Sequence, residues 1–179
     1  MEKYIQITRH LYEEPHQLNL VILASNGMSS GGLEFYSNTT GLKSIGEALI
    51  NFPEHSTAKY LYELGSERNE DNFGYYFRFR VCTIRAGKSH AIQLRLNNNA
   101  HFANQRRGEY FELPELSDFY IEIDLDQIKF LGQLLVDFSK LKKQRLFWCP
   151  DKAFLDNNLK FKDRRVGDTL EAALLSLPE

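Results

Sequence analysis

The segment KSIGEALINF (43–52) returns 86 residues later as KFLGQLLVDF (129–138), with Lys, Gly, Leu and Phe identical in place and Ile/Leu, Glu/Gln, Ile/Val and Asn/Asp exchanged conservatively. The same offset, fixed by Gly46 and Gly132, carries the stripe Leu42, Ile45, Leu49, Phe52 onto Ile128, Leu131, Leu135, Phe138. Spacings of three and four put each set on one face of an amphipathic helix. Asn38 maps onto Asp124, and both suit an N-cap because a side-chain oxygen can accept from the first turn. Asp124 with Gln127 adds an approximate capping box. A glycine inside a helix costs about 1 kcal/mol relative to alanine. Two at one helical position predict that each helix lies against the sheet, or that the helices approach one another, at Gly46 and Gly132.

Carried back, the offset brings Leu33 and Phe35 onto Phe119 and Ile121, the apolar face of the strand entering each helix. Period-two alternation is clearest in FGYYFRFRVCTI (73–84), where Tyr75, Phe77, Phe79 and Val81 share a face, and in HAIQLRLN (90–97). Ala86-Gly87-Lys88 reads as the turn of an antiparallel hairpin joining them. Further strands are expected at 3–10, 18–25, 33–37, 59–64 and 119–123, with NGMSSGG (26–32) as a loop. LFWCP (146–150) reads as an edge strand that Pro150 ends. GDTLEAALLSL (167–177) reads as a third helix, with Asp168 and Glu171 as a capping box.

The expected fold is therefore α+β, a largely antiparallel sheet of six to seven strands with two pseudo-repeated helices on one face and a C-terminal helix. A strand–hairpin–strand–helix unit is written twice (18–52 and 88–140) around central strands at 58–85. The second copy carries an insertion of roughly 20 residues at 98–118. A chain of 179 residues with 42% hydrophobic and 26% charged residues suits one globular domain.

Charge is uneven. The net −2 conceals nine Lys/Arg against three Asp within 139–166, so the rest of the chain is acidic. Leu146, Phe147, Trp148, Phe154, Leu155, Leu159 and Phe161 interleave with those cations, which predicts that the segment packs on its own domain. No apolar run reaches the length of a membrane span, and the first residues lack a signal-peptide layout, so a cytoplasmic location is expected. Cys82 and Cys149 stand alone, outside any disulfide or zinc spacing, and are read as reduced structural residues. Asn38-Thr39-Thr40 fits a glycosylation pattern that has no use without secretion.

No nucleotide-binding, metalloprotease or nucleophile-elbow motif is present, and the five histidines (10, 16, 55, 90, 101) are scattered. Glu122, Asp124 and Asp126 alternate, but a cap and an acidic first turn account for the two aspartates. No cofactor, metal or catalytic residue is indicated. The suggestive feature is the polar side of the sheet, opposite Phe35, Phe77, Phe79, Leu94 and Ile121. It carries Glu34, Tyr36, Tyr76, Arg78, Arg80, Gln93, Arg95, Tyr120 and Glu122. Tyr and Arg supply interface hot spots, so Tyr36, Tyr76, Arg78, Arg80, Arg95 and Tyr120 form the candidate binding set. Solvated antiparallel faces also carry such pairs for stability alone.

The strings LEFY, LKSIGEALINFP, YELGS and SHAIQLRLNNN, followed by FYIEID and LGQLLVDF, resemble a family of small uncharacterised bacterial proteins over residues 18–140. The resemblance implies no assigned activity. Some small α+β bacterial proteins of this size are antitoxins or immunity proteins. The leading expectation is thus a non-enzymatic protein-binding module using the sheet face or the 98–118 insertion. The alternatives are nucleic-acid binding through the same arginines with Tyr36, Tyr76 and Tyr120 as stacking platforms, and an enzyme whose pocket would hold His90, Glu122 or Arg95. An isoelectric point near 6.2 counts against nucleic acid.

Overall fold

The computed structural model describes residues 2–12, 14, 16–53, 57–84, 89–99, 115–150 and 152–157. Three strands, β1 (Lys3–His10), β2 (Leu18–Asn26) and β3 (Ser30–Ser37), lead into helix α1 (Thr39–Ile50). β4 (Lys59–Gly65) follows. Three more strands, β5 (Tyr75–Ile84), β6 (Ser89–Asn98) and β7 (Glu115–Ile123), lead into helix α2 (Leu125–Phe138). β8 (Arg145–Cys149) and β9 (Lys152–Asp156) complete the described chain. Among the described residues the fold is α+β with antiparallel pairing throughout, but it builds two sheets rather than the single sheet of six to seven strands expected. One has the order β3-β2-β1-β8-β9 and the other β4-β5-β6-β7. Two α-helices occur among the described residues. The expected helix at 167–177, the turn at 86–88 and the basic stretch beyond residue 157 lie outside them, as does most of the insertion.

The pairing registers express the repeat directly. A shift of 72 residues carries the pairs Ile7↔Ile22 and Arg9↔Leu20 onto Phe79↔Leu94 and Val81↔Ile92. On the other side of the hairpin, Leu20↔Phe35 becomes Ile92↔Ile121. Four residues separate the paired Ser25 and Ser30, and eighteen separate the corresponding Asn97 and Leu116. The second copy's insertion is therefore 14 residues, shorter than the sequence reading, because β6 runs on to Asn98 and β7 resumes at Glu115.

The strand after each helix crosses to the other half. β4 leaves α1 and pairs with β5, and β8 leaves α2 and pairs with β1. The 146–150 segment is consequently an interior strand, bounded by β1 and by β9, which the sequence reading missed. Each half thus completes the other's sheet. One continuous core results, joining Ile5, Ile7, Leu20, Ile22 and Phe35 of the first sheet, Phe77, Phe79, Leu94 and Ile121 of the second, and both helical stripes. Phe35 and Phe77 stack across the two sheets with ring centroids 4.6 Å apart.

The helices begin as their caps dictate. Asn38 Oδ1 accepts from Gly41 N at 2.7 Å, and Asp124 Oδ1 from Gln127 N at 2.8 Å, with the Gln127 side chain returning to Asp124 N. They cross at the two glycines, the second of the alternatives the repeat raised. A Cβ on Gly46 would lie 2.7 Å from Gly132 O and 2.9 Å from Val136 N, and a Cβ on Gly132 would lie 2.7 Å from Gly46 O and 2.9 Å from Ile50 N. Val136 and Ile50 are themselves 86 residues apart, so the crossing has the symmetry of the repeat.

The two sheets differ in their outer faces. β2 is buried on both sides almost throughout, Val21 and Leu23 as fully as Leu20 and Ile22. That fits its unbroken apolar run, the pattern of a strand covered on both faces. β5 alternates buried Phe77, Phe79 and Val81 with half-exposed Tyr76, Arg78 and Arg80, so the second sheet has one wet face. Among the described residues of the basic 139–166 segment, Arg145 donates to Asp156 through two nitrogens, at 2.9 and 2.5 Å, and Lys140 pairs with Asp137 at 2.6 Å. Those cations are engaged by the chain itself.

Candidate functional site

On the wet face of the second sheet, antiparallel register arranges side chains in rows that run across all four strands. One row reads Glu63, Arg78, Arg95, Asp118 and the next Leu61, Arg80, Gln93, Tyr120. Arg78 and Arg95 are directly opposed, an arrangement of like charges that a sheet tolerates only with compensation. Asp118 provides it, accepting from Arg95 Nη1 at 2.8 Å and from Arg78 Nη2 at 3.4 Å, while its other oxygen takes Gln93 Nε2 at 2.8 Å. Glu67, reaching in from the loop after β4, accepts from Arg95 Nε at 2.9 Å and from Asn97 Nδ2 at 2.8 Å. These two carboxylates hold the Arg95 guanidinium above its ordinary pKa.

Tyr76 donates its hydroxyl to Glu63. Partial burial, and then the adjacent carboxylate that a phenolate would repel, push its pKa up to about 12. A phenol that binds its proton more tightly when folded stabilises the fold fully below the free value near 10 and loses that contribution as pH rises through 12. The urea midpoint should therefore fall between pH 10 and 12, and Tyr76→Phe should flatten that fall. An unaltered fall in the variant would mean that the hydroxyl is not held by Glu63.

Arg80 has a different setting. Its row neighbours are Leu61 and Gln93, neither of them a carboxylate, and it has no hydrogen bond or ion pair among the described residues. Leu61 is 52% exposed and Tyr120 49%. Gln93 Oε1, Asn97 Oδ1 and Arg78 Nε are buried atoms without a partner among the described residues. A buried polar atom left unpaired is costly, so these three atoms detract from the stability of the face.

The six residues singled out from the sequence are thus only partly brought together. Tyr76, Arg78, Arg80, Arg95 and Tyr120 share the face. Tyr36 does not: it sits on β3 of the other sheet, opposite Asn19, with its ring 5.3 Å from that of Tyr12. Glu34 is likewise on β3, bonded by Asn19 Nδ2 at 2.7 Å. Leu61, outside the six, joins the face: the alternation of KYLYEL, with Tyr60, Tyr62 and Leu64 packed on the core, is the signal that turns it outward. Among the described residues the face carries Lys59, Arg78, Arg80 and Arg95 against Glu63, Glu67, Asp118 and Glu122, so those charges balance.

Elsewhere, His90 is buried with its ring against the edge of Phe52. Among the described residues no group of three His, Cys, Asp or Glu could hold a metal ion, and no helix is long and apolar enough to cross a membrane. A void of about 20 Å³ between Ile7, Phe35, Phe79 and Leu131 has room for one water and is nearly all apolar. It is a packing defect rather than a ligand site, which would need several hundred Å³. Compared with models of known protein families, with curated proteins and with solved structures, the chain finds no match.

Proposed function

We propose that the chain is a non-enzymatic protein-binding module, of immunity- or antitoxin-like character, and that its contact surface is the row Leu61, Arg80, Gln93, Tyr120. Arg80 carries the reading. It is a guanidinium in the middle of a sheet face whose two arginine neighbours are compensated while it is not. Arg80 lies beside exposed Leu61, and the buried Gln93 separates it from exposed Tyr120, so one short row combines the arginine, tyrosine and apolar surface of a hot spot. The fitting partner presents a carboxylate to Arg80 and apolar surface on either side. Compensation of Arg78 and Arg95, together with the balanced charge of the face, counts against a nucleic-acid backbone, which requires a surplus of free cations.

The test is capture of a partner from the native host by the immobilised full chain, repeated with Arg80→Glu and Tyr120→Ala. Each should lower the captured amount at least about tenfold, the effect of a hot-spot loss near 2 kcal/mol, with an unchanged melting temperature. Undiminished capture by Arg80→Glu sinks this surface. Retention of single-stranded oligonucleotides at low salt, fading as salt rises, would replace the proposal with nucleic-acid binding.

A further inference from the structure

Among the described residues, the internal repeat has one strand position filled in one half and without a counterpart in the other. β8 and β4 are equivalents: Leu146 pairs with Ile7 as Tyr62 pairs with Phe79. On the far side of β8 lies β9, with Arg145 opposite Asp156 and Phe147 opposite Phe154. On the far side of β4 no strand is found among the described residues, and β4 ends its sheet.

Hydrogen-bond phase says which groups are left over. Thr83 N donates to Ala58 O at 3.0 Å, which fixes residues 58, 60, 62 and 64 as those bonded to β5. The N–H and C=O of Lys59, Leu61 and Glu63 therefore point away from the sheet, a template for another strand. Natural edges are blunted by proline, a bulge or inward-pointing charge. β4 has no proline, bulge or inward-pointing charge, and its outward charges, Lys59 and Glu63, are of opposite sign and so can pair across a two-fold rather than repel. Its register to β5 is unbroken from Lys59 to Gly65, and its inner side chains are Tyr60, Tyr62 and Leu64.

We infer that β4 is a self-association edge, on which β4 of a second copy pairs antiparallel about a two-fold axis through Leu61. Only odd-numbered residues can bond across this edge, and the register centred on Leu61 is the one that also matches charge. Lys59 of each copy then opposes Glu63 of the other, Leu61 meets Leu61, and on the inner face Tyr60 opposes Tyr62. Oppositely charged and aromatic cross-strand pairs are the contacts that stabilise such a ladder. The ion pair Arg145–Asp156 at the β8–β9 edge shows the same device within one chain. An axis normal to the sheet keeps both wet faces on one side, giving an eight-stranded sheet with two Arg80 sites facing the same way.

Sedimentation equilibrium of the full chain over a concentration series, paired with amide hydrogen exchange, tests this. The wild type should approach about 42 kDa, twice the 20.9 kDa chain, with the amides of Lys59, Leu61 and Glu63 slowed at high concentration. Lys59→Glu and Glu63→Lys should each return the mass to that of one chain, and the double exchange should restore the dimer. All of these residues lie at the exposed edge, so circular dichroism should show the native fold in each variant. A wild type that stays at 20.9 kDa overturns the inference. So does a dimer in which the Leu61 amide exchanges freely, or single exchanges whose effect the double exchange fails to reverse. Partner capture is read separately with Arg80→Glu, a substitution outside the β4–β4 ladder that should leave the dimer mass unchanged.

Discussion

Alanine at Gly46 should lower stability by about 1–3 kcal/mol in urea denaturation, the cost of an added methyl group in a filled site. The sign is the informative part, because alanine in an ordinary helix interior gains about 1 kcal/mol over glycine. Here the new methyl would meet Gly132 O and Val136 N, backbone atoms of a helix that cannot turn aside as a side chain would. Gly132→Ala should behave alike, since its methyl would meet Gly46 O and Ile50 N. The double variant should cost less than the two singles together: once one methyl has parted the helices, the second enters space already opened. Gly46→Leu should be worse than either alanine. A Gly46→Ala protein more stable than the wild type would mean that the helices separate freely and that the crossing is not what requires glycine.

The second large effect concerns the exchanged strand. Trp148 is buried to 1% exposure on β8, opposite Ile5, and belongs to the core shared by both halves. Truncation of a buried tryptophan to alanine costs about 3–5 kcal/mol. If β8 were an appendage of the second half, the loss would be local to its surroundings. Because it completes the sheet of the first half while its chain belongs to the second, Trp148→Ala should lower the protection of β1 and β6 amides together. Thermal unfolding should remain a single transition at a lower temperature. Two separated transitions in the variant would show that the halves fold independently, contrary to the exchange.

Local elements were legible in the sequence because their signals are local. The caps at Asn38 and Asp124, both helical stripes and the alternation of β5 and β6 all follow from residues close in the chain. The division into two sheets was not legible. Alternation assigns each strand an inner and an outer face, and those assignments are the same whether Phe35 and Phe77 lie in one sheet or stack across two. What decides is the destination of β4 and β8, a long-range choice with no local code. β9 has no local signal, because its five residues follow Pro150, which reads as a stop.

The site shows the same limit. Parity placed Arg78, Arg80 and Arg95 on one face correctly, but made them equal. Register makes them unequal, setting Asp118 against Arg95 and within reach of Arg78 while Arg80 faces leucine and glutamine. Parity alone would put Tyr36 with them in a single sheet; the division into two sheets takes it away.

The crossing of β8 also governs the order in which the protein can be completed during synthesis. Ile5 through Thr8 pair with residues 145–148. The first sheet therefore stands with the β1 edge unpaired while residues 38–144 are made. At roughly 5–20 residues per second, that wait is on the order of ten seconds. β4 has no such delay in supplying the other half, since it ends at Gly65 and its partner β5 begins at Tyr75. The nascent first half is consequently the stage at which a chaperone, or a neighbouring chain on the same message, has the longest opportunity to occupy β1.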